Sequence, residues 1–301
     1  MKISKNTGDA SKFAIYKKCG FDACDFSVEG IFNRAKGQFG DIENVSDQQI
    51  IEHFSAIRES AKAIDFEIGQ VHGESCGNIK AYDDDINIMV KHQIASIKAT
   101  NYLGAKHCVI HPLIFRKRKY DLLAKENFDA CVDFYKRLED ALIEYDVYCC
   151  LENMWHIDSV YGHICPTILS RAQEMVDMCD VLGDRYKICV DTGHGLLTQD
   201  DPVEMVRICG DKLVCLHTHD NDGIHDMHTF PFHRAAAPHG TSWKPLRMDW
   251  MAFMKALDEV NYRGNLNFEV GMPDPSALEE LHLKYLADIG KYLVSLREVK
   301  Y

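Results

Sequence analysis

The chain has 301 residues and a formal net charge of −12 at pH 7, with 46% hydrophobic and 27% charged residues. That length supports a large core and fits one (β/α)8 domain or two smaller units. No apolar run approaches the roughly 18 residues that span a bilayer, and the acidic balance disfavours a phosphate-rich polymer as partner.

Strand-like and helical patterns alternate from end to end. Strands are predicted at Lys2–Asn6 and Ala23–Ser27. A helix then opens on Ser46-Asp47-Gln48-Gln49, which has capping-box spacing, and its apolar face runs through Ile50, Ile51, Phe54, Ile57 and Ala61. Strand Glu67–His72 is followed by a helix over Asp84–Leu103, strand His107–His111 by one over Leu122–Tyr145, and strand Tyr148–Asn153 by one over Thr167–Leu182. Strand Lys187–Thr192 precedes a helix at Pro202–Cys209, and strand Leu213–Thr218 precedes one at Asp249–Val260. Strand Leu266–Val270 and a helix near Ser276–Leu296 close the series. Strands alternating with helices imply parallel βα units. An open doubly wound sheet alternates in the same way, but eight units favour closure. The predicted fold is α/β, a (β/α)8 TIM barrel, as a single domain over residues 1–301. Asn221–Arg247 has little periodicity and four histidines, and reads as a long functional loop after the seventh strand.

The chemistry is announced at the strand ends. The runs Gln70-Val71-His72, Val109-Ile110-His111, Cys150-Leu151-Glu152, Cys189-Val190-Asp191, Cys215-Leu216-His217 and Asn267-Phe268-Glu269 each end in an imidazole or a carboxylate. His194 follows the fourth, and Asp226 and His228 follow the fifth in the long loop. A short apolar run ending this way reads as a buried strand delivering a polar group to its tip. Repeated along the chain, such ends build one site at the C-terminal mouth of a barrel. Glu152, Asp191, His217 and Glu269 form a mixed oxygen and nitrogen set suited to Mn²⁺, Co²⁺, Mg²⁺ or Zn²⁺. Converging charges without a cation would be costly.

The ordered motifs VIHP, CLENMW, CVDTGHG, HTHDNDG followed by DMH, and NFEVG resemble the xylose isomerase-like superfamily over roughly Ile68 to Val270. That superfamily includes sugar and sugar-phosphate isomerases and epimerases, and endonuclease IV. The resemblance implies a divalent metal held by Glu152, Asp191, His217 and Glu269. It also implies that Glu152 and Glu269 are the catalytic pair: one removes a proton beside a carbonyl and the other redelivers one, through a metal-stabilised enediolate. The substrate class it implies is a small carbohydrate or polyol, free or phosphorylated. A dehydratase or lyase is a near relative, because the same enediolate can expel a β-hydroxyl.

The endonuclease IV-like members use more ligands, for three zinc ions. His72, His111, His194, Asp226 and His228 occupy the further positions, as second-metal ligands or substrate contacts. The multinuclear zinc phosphodiesterase therefore stands as the alternative. The loop after His228, TFPFHRAAAPHG, lacks the short GEG-like turn that reading expects, and the charge fits DNA poorly.

Weaker candidates for the mouth are His156, His163, His219, His225, His233 and His239, which read better as loop residues. Trp155 and Trp243 read better as packing than as sugar-stacking rings. Arg116-Lys117-Arg118-Lys119 reads better as a solvated run than as a phosphate clamp. Among the twelve cysteines, Cys108, Cys149, Cys150, Cys189 and Cys215 lie in apolar runs and there is no CxxC pair. They read as reduced, buried thiols. With no apolar signal core in MKISKNTGDASKF, the expected compartment is the cytoplasm. No membrane or nucleic-acid partner is expected, and a homo-oligomer stays open.

Overall fold

A computed structural model describes residues 1–30, 45–75, 86–114, 124–158, 162–232, 247–271 and 276–297. The strands and helices in chain order are β1 (Ile3–Thr7), α1 (Phe13–Cys19), β2 (Ala23–Ser27), α2 (Asp47–Ala63), β3 (Glu67–His72), α3 (Ile86–Leu103), β4 (His107–Ile110), α4 (Ala124–Lys136), α5 (Glu139–Glu144) and β5 (Tyr148–Glu152). There follow β6 (Trp155–Ile157), β7 (Ile164–Pro166), α6 (Ala172–Leu182), β8 (Tyr186–Asp191), α7 (Thr192–Thr198), α8 (Pro202–Cys209), β9 (Leu213–His217), α9 (Trp250–Glu259), β10 (Leu266–Phe268) and α10 (Glu279–Ser295). The main sheet runs β10-β1-β2-β3-β4-β5-β8-β9, with every pairing parallel. A parallel bridge between Thr218 and Phe268 joins β9 to β10: Thr218 N–H donates to Asn267 O at 2.8 Å and Glu269 N–H to Thr218 O at 3.1 Å. The ring is thereby closed, and the predicted eight-stranded TIM barrel is observed.

Strand periodicity sorts the side chains into two layers. Outward residues such as Leu151, Ile188, Val190, Leu216 and Phe268 pack in the main core together with the helices. Inward residues Val109, Cys150, Cys189 and Cys215 form a separate small apolar plug inside the barrel, with Cys150 and Cys215 Sγ atoms 3.6 Å apart. Two residues further along the same four strands come His111, Glu152, Asp191 and His217. The polar ring therefore stands one layer above the thiol plug. The described cysteines are free thiols. Among the described residues, no helix is long and apolar enough to cross a membrane.

The predicted capping box is present: Ser46 Oγ accepts from Gln49 N–H, and Gln49 Oε1 accepts from Ser46 N–H at 2.9 Å. Several boundaries differ from expectation. Thr192 begins α7 instead of ending β8, because Asp191 is both the strand tip and the N-cap, accepting from His194 N–H at 2.7 Å. The helix expected over Leu122–Tyr145 is two helices, α4 and α5, among the described residues. The one expected from Thr167 begins at Ala172. The antiparallel hairpin of β6 and β7 and the short helix α1 were not anticipated.

Candidate metal centre at the barrel mouth

Four strand ends converge. One donor atom from each of Glu152, Asp191, His217 and Glu269 lies within 4.8 Å of the others. His217 Nδ1 is 2.9 Å from Glu152 Oε1 and 3.2 Å from Glu269 Oε2. Glu152, Asp191 and His217 are buried, whereas the Glu269 side chain keeps 19% of its exposure and so faces the mouth. Asn153, next to Glu152, holds the tip of β8 in place. Its Nδ2–H donates to Asp191 O at 2.8 Å and its Oδ1 accepts from Asp191 N–H at 2.7 Å.

Behind His217 lies Asp25 of β2, almost fully buried. Asp25 Oδ2 accepts from His217 Nε2–H at 2.8 Å, from Gln70 Nε2–H at 3.0 Å and from Asn267 Nδ2–H at 3.3 Å. Beside Glu152 stand two further imidazoles. His111 Nε2 is 2.9 Å and His72 Nε2 3.7 Å from Glu152 Oε2, and the two ring nitrogens are 3.1 Å apart. His72 Nδ1–H donates to Gly73 O at 2.9 Å, which turns Nε2 toward the mouth.

A second cluster adjoins the first. Donor atoms of His194, His219, Asp226 and His228 also lie within 4.8 Å of one another. Each of the three rings faces a main-chain carbonyl through Nδ1: His194 on Asn153 O at 2.8 Å, His219 on Asp220 O at 3.4 Å, and His228 on Glu269 O at 2.8 Å. Nε2 of His194 and of His228 is left pointing at Asp226, at 3.7 and 3.3 Å, while Nε2 of His219 lies between Asp191 Oδ1 at 3.2 Å and Asp226 at 4.0 Å. That arrangement is how metal-binding imidazoles are commonly oriented. The loop reaches the site by turning back on itself, since Asp220 and Thr229 exchange main-chain hydrogen bonds at 3.0 and 2.9 Å. His228 sits at φ 45°, in the left-handed region that non-glycine residues seldom adopt.

Burial disfavours charge throughout the site, yet the carboxylates and imidazoles override it for one another. Glu152 is held well below the carboxylate range by His217 and His111 despite its burial. His217 is raised well above the imidazole range, where burial is outweighed by charges that include Glu152 and Glu269. His194 is likewise raised by Asp191 and Asp226, and His228 is raised to about 9 by Asp226 and Glu269. Asp226 is pushed far down by His194 and His228. Without a cation, protons on the imidazoles must balance these carboxylates.

A divalent cation fits the first cluster. Three carboxylates and one imidazole converge there, and Asp191 Oδ2 is buried with no hydrogen-bond partner among the described residues. Oxygen and nitrogen donors of this kind suit Mn²⁺, Co²⁺, Mg²⁺ or Zn²⁺.

The xylose isomerase-like TIM barrel family matches residues 13–288. The chain belongs to that family. Solved structures with the same barrel include a D-tagatose 3-epimerase-like protein, 16% identical, with 99% of this chain and 100% of that one covered and a TM-score of 0.71. A D-psicose 3-epimerase from Clostridium cellulolyticum H10 is 17% identical, covers 98% and 99%, and has a TM-score of 0.67. The 3-keto-D-glucoside 4-epimerase YcjR from E. coli is 14% identical, covers 96% and 99%, and has a TM-score of 0.63. A curated relative, the uncharacterised protein y4fM of Sinorhizobium fredii, is 36% identical over 89 residues, which span 30% of this chain and 25% of its own length.

Within this xylose isomerase-like barrel, all nine strand-end and loop residues singled out from the sequence gather at one mouth. Two further partners join them. Asp25, for which the sequence gives no signal, lies inside its strand and not at the tip. His219, a weaker candidate for the mouth, does lie past the end of β9 but shares the inward face with His217 two positions earlier. His225 points outward, 71% exposed, onto Asp222, and Trp155 meets the His194 ring edge to face at 6.3 Å. His233, His239, Trp243 and the run Arg116–Lys119 lie outside the described residues.

Proposed function

We propose that this chain is a divalent-metal-dependent sugar or polyol isomerase/epimerase that works by proton transfer at the carbon beside a carbonyl. The observation that carries this reading is the convergence of Glu152, Asp191, His217 and Glu269 at the C-terminal mouth. Similarity of the whole barrel to proteins named as 3-epimerases of ketoses supports a small carbohydrate as substrate. Glu152, Asp191, His217 and Glu269 would hold the cation. When bound, it supplies positive charge against the negative charge that develops on the substrate oxygens. Glu269, partly open to the mouth, exchanges a proton with one face of the carbon, and Glu152 does so from the other. His72 and His111 present imidazole nitrogens to substrate hydroxyls beside Glu152. Exclusion of water by the closed barrel floor strengthens these interactions.

The test is exchange of solvent deuterium into ketoses and inososes by the Mn²⁺-loaded protein in D₂O. Incorporation at the carbon beside the carbonyl supports the reading, and its absence across the set rejects it. Loss of a β-hydroxyl instead would make the enzyme a dehydratase.

The cluster of His194, His219, Asp226 and His228 favours a second reading, a multinuclear zinc phosphodiesterase with several cations in one mouth. Cleavage of abasic duplex DNA by zinc-loaded protein, lost in His111→Ala, supports that alternative over the first.

A further inference from the structure

The carboxylate of Asp25 has no part in the donor sets above, yet it is buried in the centre of the barrel. Its surroundings fix its chemistry. Ser4 Oγ–H donates to Asn267 Oδ1 at 2.9 Å, so the amide nitrogen of Asn267 is the end that faces Asp25. Gln70 also turns its amide nitrogen toward Asp25, sharing it with Leu216 O at 3.4 Å. A carboxylate oxygen only accepts, so the third contact, His217 Nε2 at 2.8 Å, is an N–H donated to Oδ2 as well. His217 is thus fixed with its proton on Nε2. The lone pair of the neutral ring is then on Nδ1, the nitrogen that faces Glu152 and Glu269. Histidines that bind metals are regularly oriented this way by a carboxylate on the far nitrogen, which also makes the ring a better donor.

We infer that Asp25 is the positioning residue of the cation site: it sets the tautomer and aim of His217 through Nε2 and is not itself a ligand. Gln70 of β3 and Asn267 of β10 hold Asp25, and Ser4 of β1 holds Asn267, so the side of the barrel opposite Glu152 and Asp191 is committed to one imidazole. The inference rests on the proposed cation at Glu152, Asp191, His217 and Glu269, but not on which reaction follows.

The experiment measures Mn²⁺ affinity by calorimetry in the full chain for Asp25→Asn, Asp25→Leu and Gln70→Leu. Zinc-loaded protein labelled with ¹⁵N-histidine reports the His217 tautomer by NMR. Asp25→Leu removes the acceptor and is expected to weaken Mn²⁺ about 100-fold, and Asp25→Asn, which keeps the shape but not the charge, about 10-fold. Gln70→Leu removes one of the two amides that hold Asp25 but keeps the acceptor for His217, and is expected to weaken Mn²⁺ less than Asp25→Asn does. In wild type, the Nε2 proton of His217 should be seen with Nδ1 bound to zinc. Should Asp25→Leu fail to fold, Asp25→Asn decides alone. Wild-type affinity in a folded Asp25 variant overturns the inference while leaving the proposed function intact. So does an equal loss in Gln70→Leu, which would mark a merely structural network. Absence of any divalent-cation binding by wild type overturns both readings.

Discussion

The rings of His219 and His228 stack face to face, with centroids 3.9 Å apart and planes 9° from parallel. One sits just past β9 and the other at the far end of the turn that follows. Their Nε2 atoms both aim at Asp226, and His219 Nε2 also lies 3.2 Å from Asp191 Oδ1. Two stacked imidazoles repel if both are protonated and cooperate if a cation takes the place of their protons. The expected result is a second zinc site. Zinc titration should give about two ions per chain in wild type and about one in His228→Ala. Equal stoichiometry in the two proteins would remove the cluster from consideration.

Gly193, in the first turn of α7, tests the same cluster from behind. A Cβ placed there would lie 1.9 Å from His219 Cε1. The ring cannot retreat easily, since it is fully buried and stacked on His228. Gly193→Ala should therefore displace His219, with a stability cost of about 1–3 kcal/mol of the kind overpacking brings. It should also weaken the second zinc while sparing the first. Thermal melts with and without zinc check both parts, and an unchanged zinc-dependent rise in Tm would count against the placement.

The barrel and its polar ring were legible because both follow the period-two rule. An inward thiol at Cys150, Cys189 or Cys215 is followed two residues later by Glu152, Asp191 or His217, and each apolar run stops at the polar tip. What the sequence hid lay where local signals overlap. Asp191 serves as strand end and helix cap at once, so no loop residue marks the start of α7. Asp25 occupies mid-strand, where a lone carboxylate between Cys24 and Phe26 looks like noise until Gln70, Asn267 and His217 are brought to it from three other strands. His219 continues the inward register of His217 beyond the last paired residue of β9, and extending the period by one step would have found it. The hairpin of β6 and β7 is too short to leave a periodic trace.

Removing the proposed base should separate proton transfer from binding. Glu269→Gln keeps an oxygen for the cation but cannot take up a proton in the working range. Deuterium exchange is expected to fall by about 10²-fold or more. Mn²⁺ should still bind, more weakly, which calorimetry checks. Near-normal exchange in Glu269→Gln and in Glu152→Gln would exclude the paired-carboxylate mechanism.

His72 shares a three-residue set with Glu152 and His217, but neither His72 nor His111 belongs to the four-residue set that includes Asp191 and Glu269. His111→Ala and His72→Ala are accordingly expected to raise KM by about 10-fold, as the loss of one hydrogen bond to a substrate hydroxyl would. The Mn²⁺ stoichiometry should be unchanged. Loss of the cation in either variant would move that histidine from substrate contact to ligand.

Lys5 provides a pH test beside the site, with its ammonium on the main chain next to Glu269. It is buried on β1, with Nζ donating to Val270 O at 3.0 Å and Asn6 Oδ1 at 3.1 Å, and the Tyr16 ring 5.6 Å away. Burial lowers its pKa from 10.5 to about 8, against the opposing pull of Glu269 and Glu279. Between those values the unfolded chain holds a proton on Lys5 that the folded chain has released. Stability contributed by this residue must then rise with pH across that window, since the unfolded state binds more protons there. Below pH 8 the charged, desolvated ammonium costs up to about 3 kcal/mol, from 1.36 kcal/mol per pKa unit. The buried thiols act in the opposite sense: burial raises Cys108 and Cys179 to about 12, so the unfolded chain loses those protons first and stability falls as the solution becomes alkaline. The measurement is therefore a difference. Urea denaturation of wild type and Lys5→Met from pH 7 to pH 10.5 should show wild type gaining on the variant steadily above pH 8, and a flat difference curve would mean that Lys5 keeps its proton in the folded barrel.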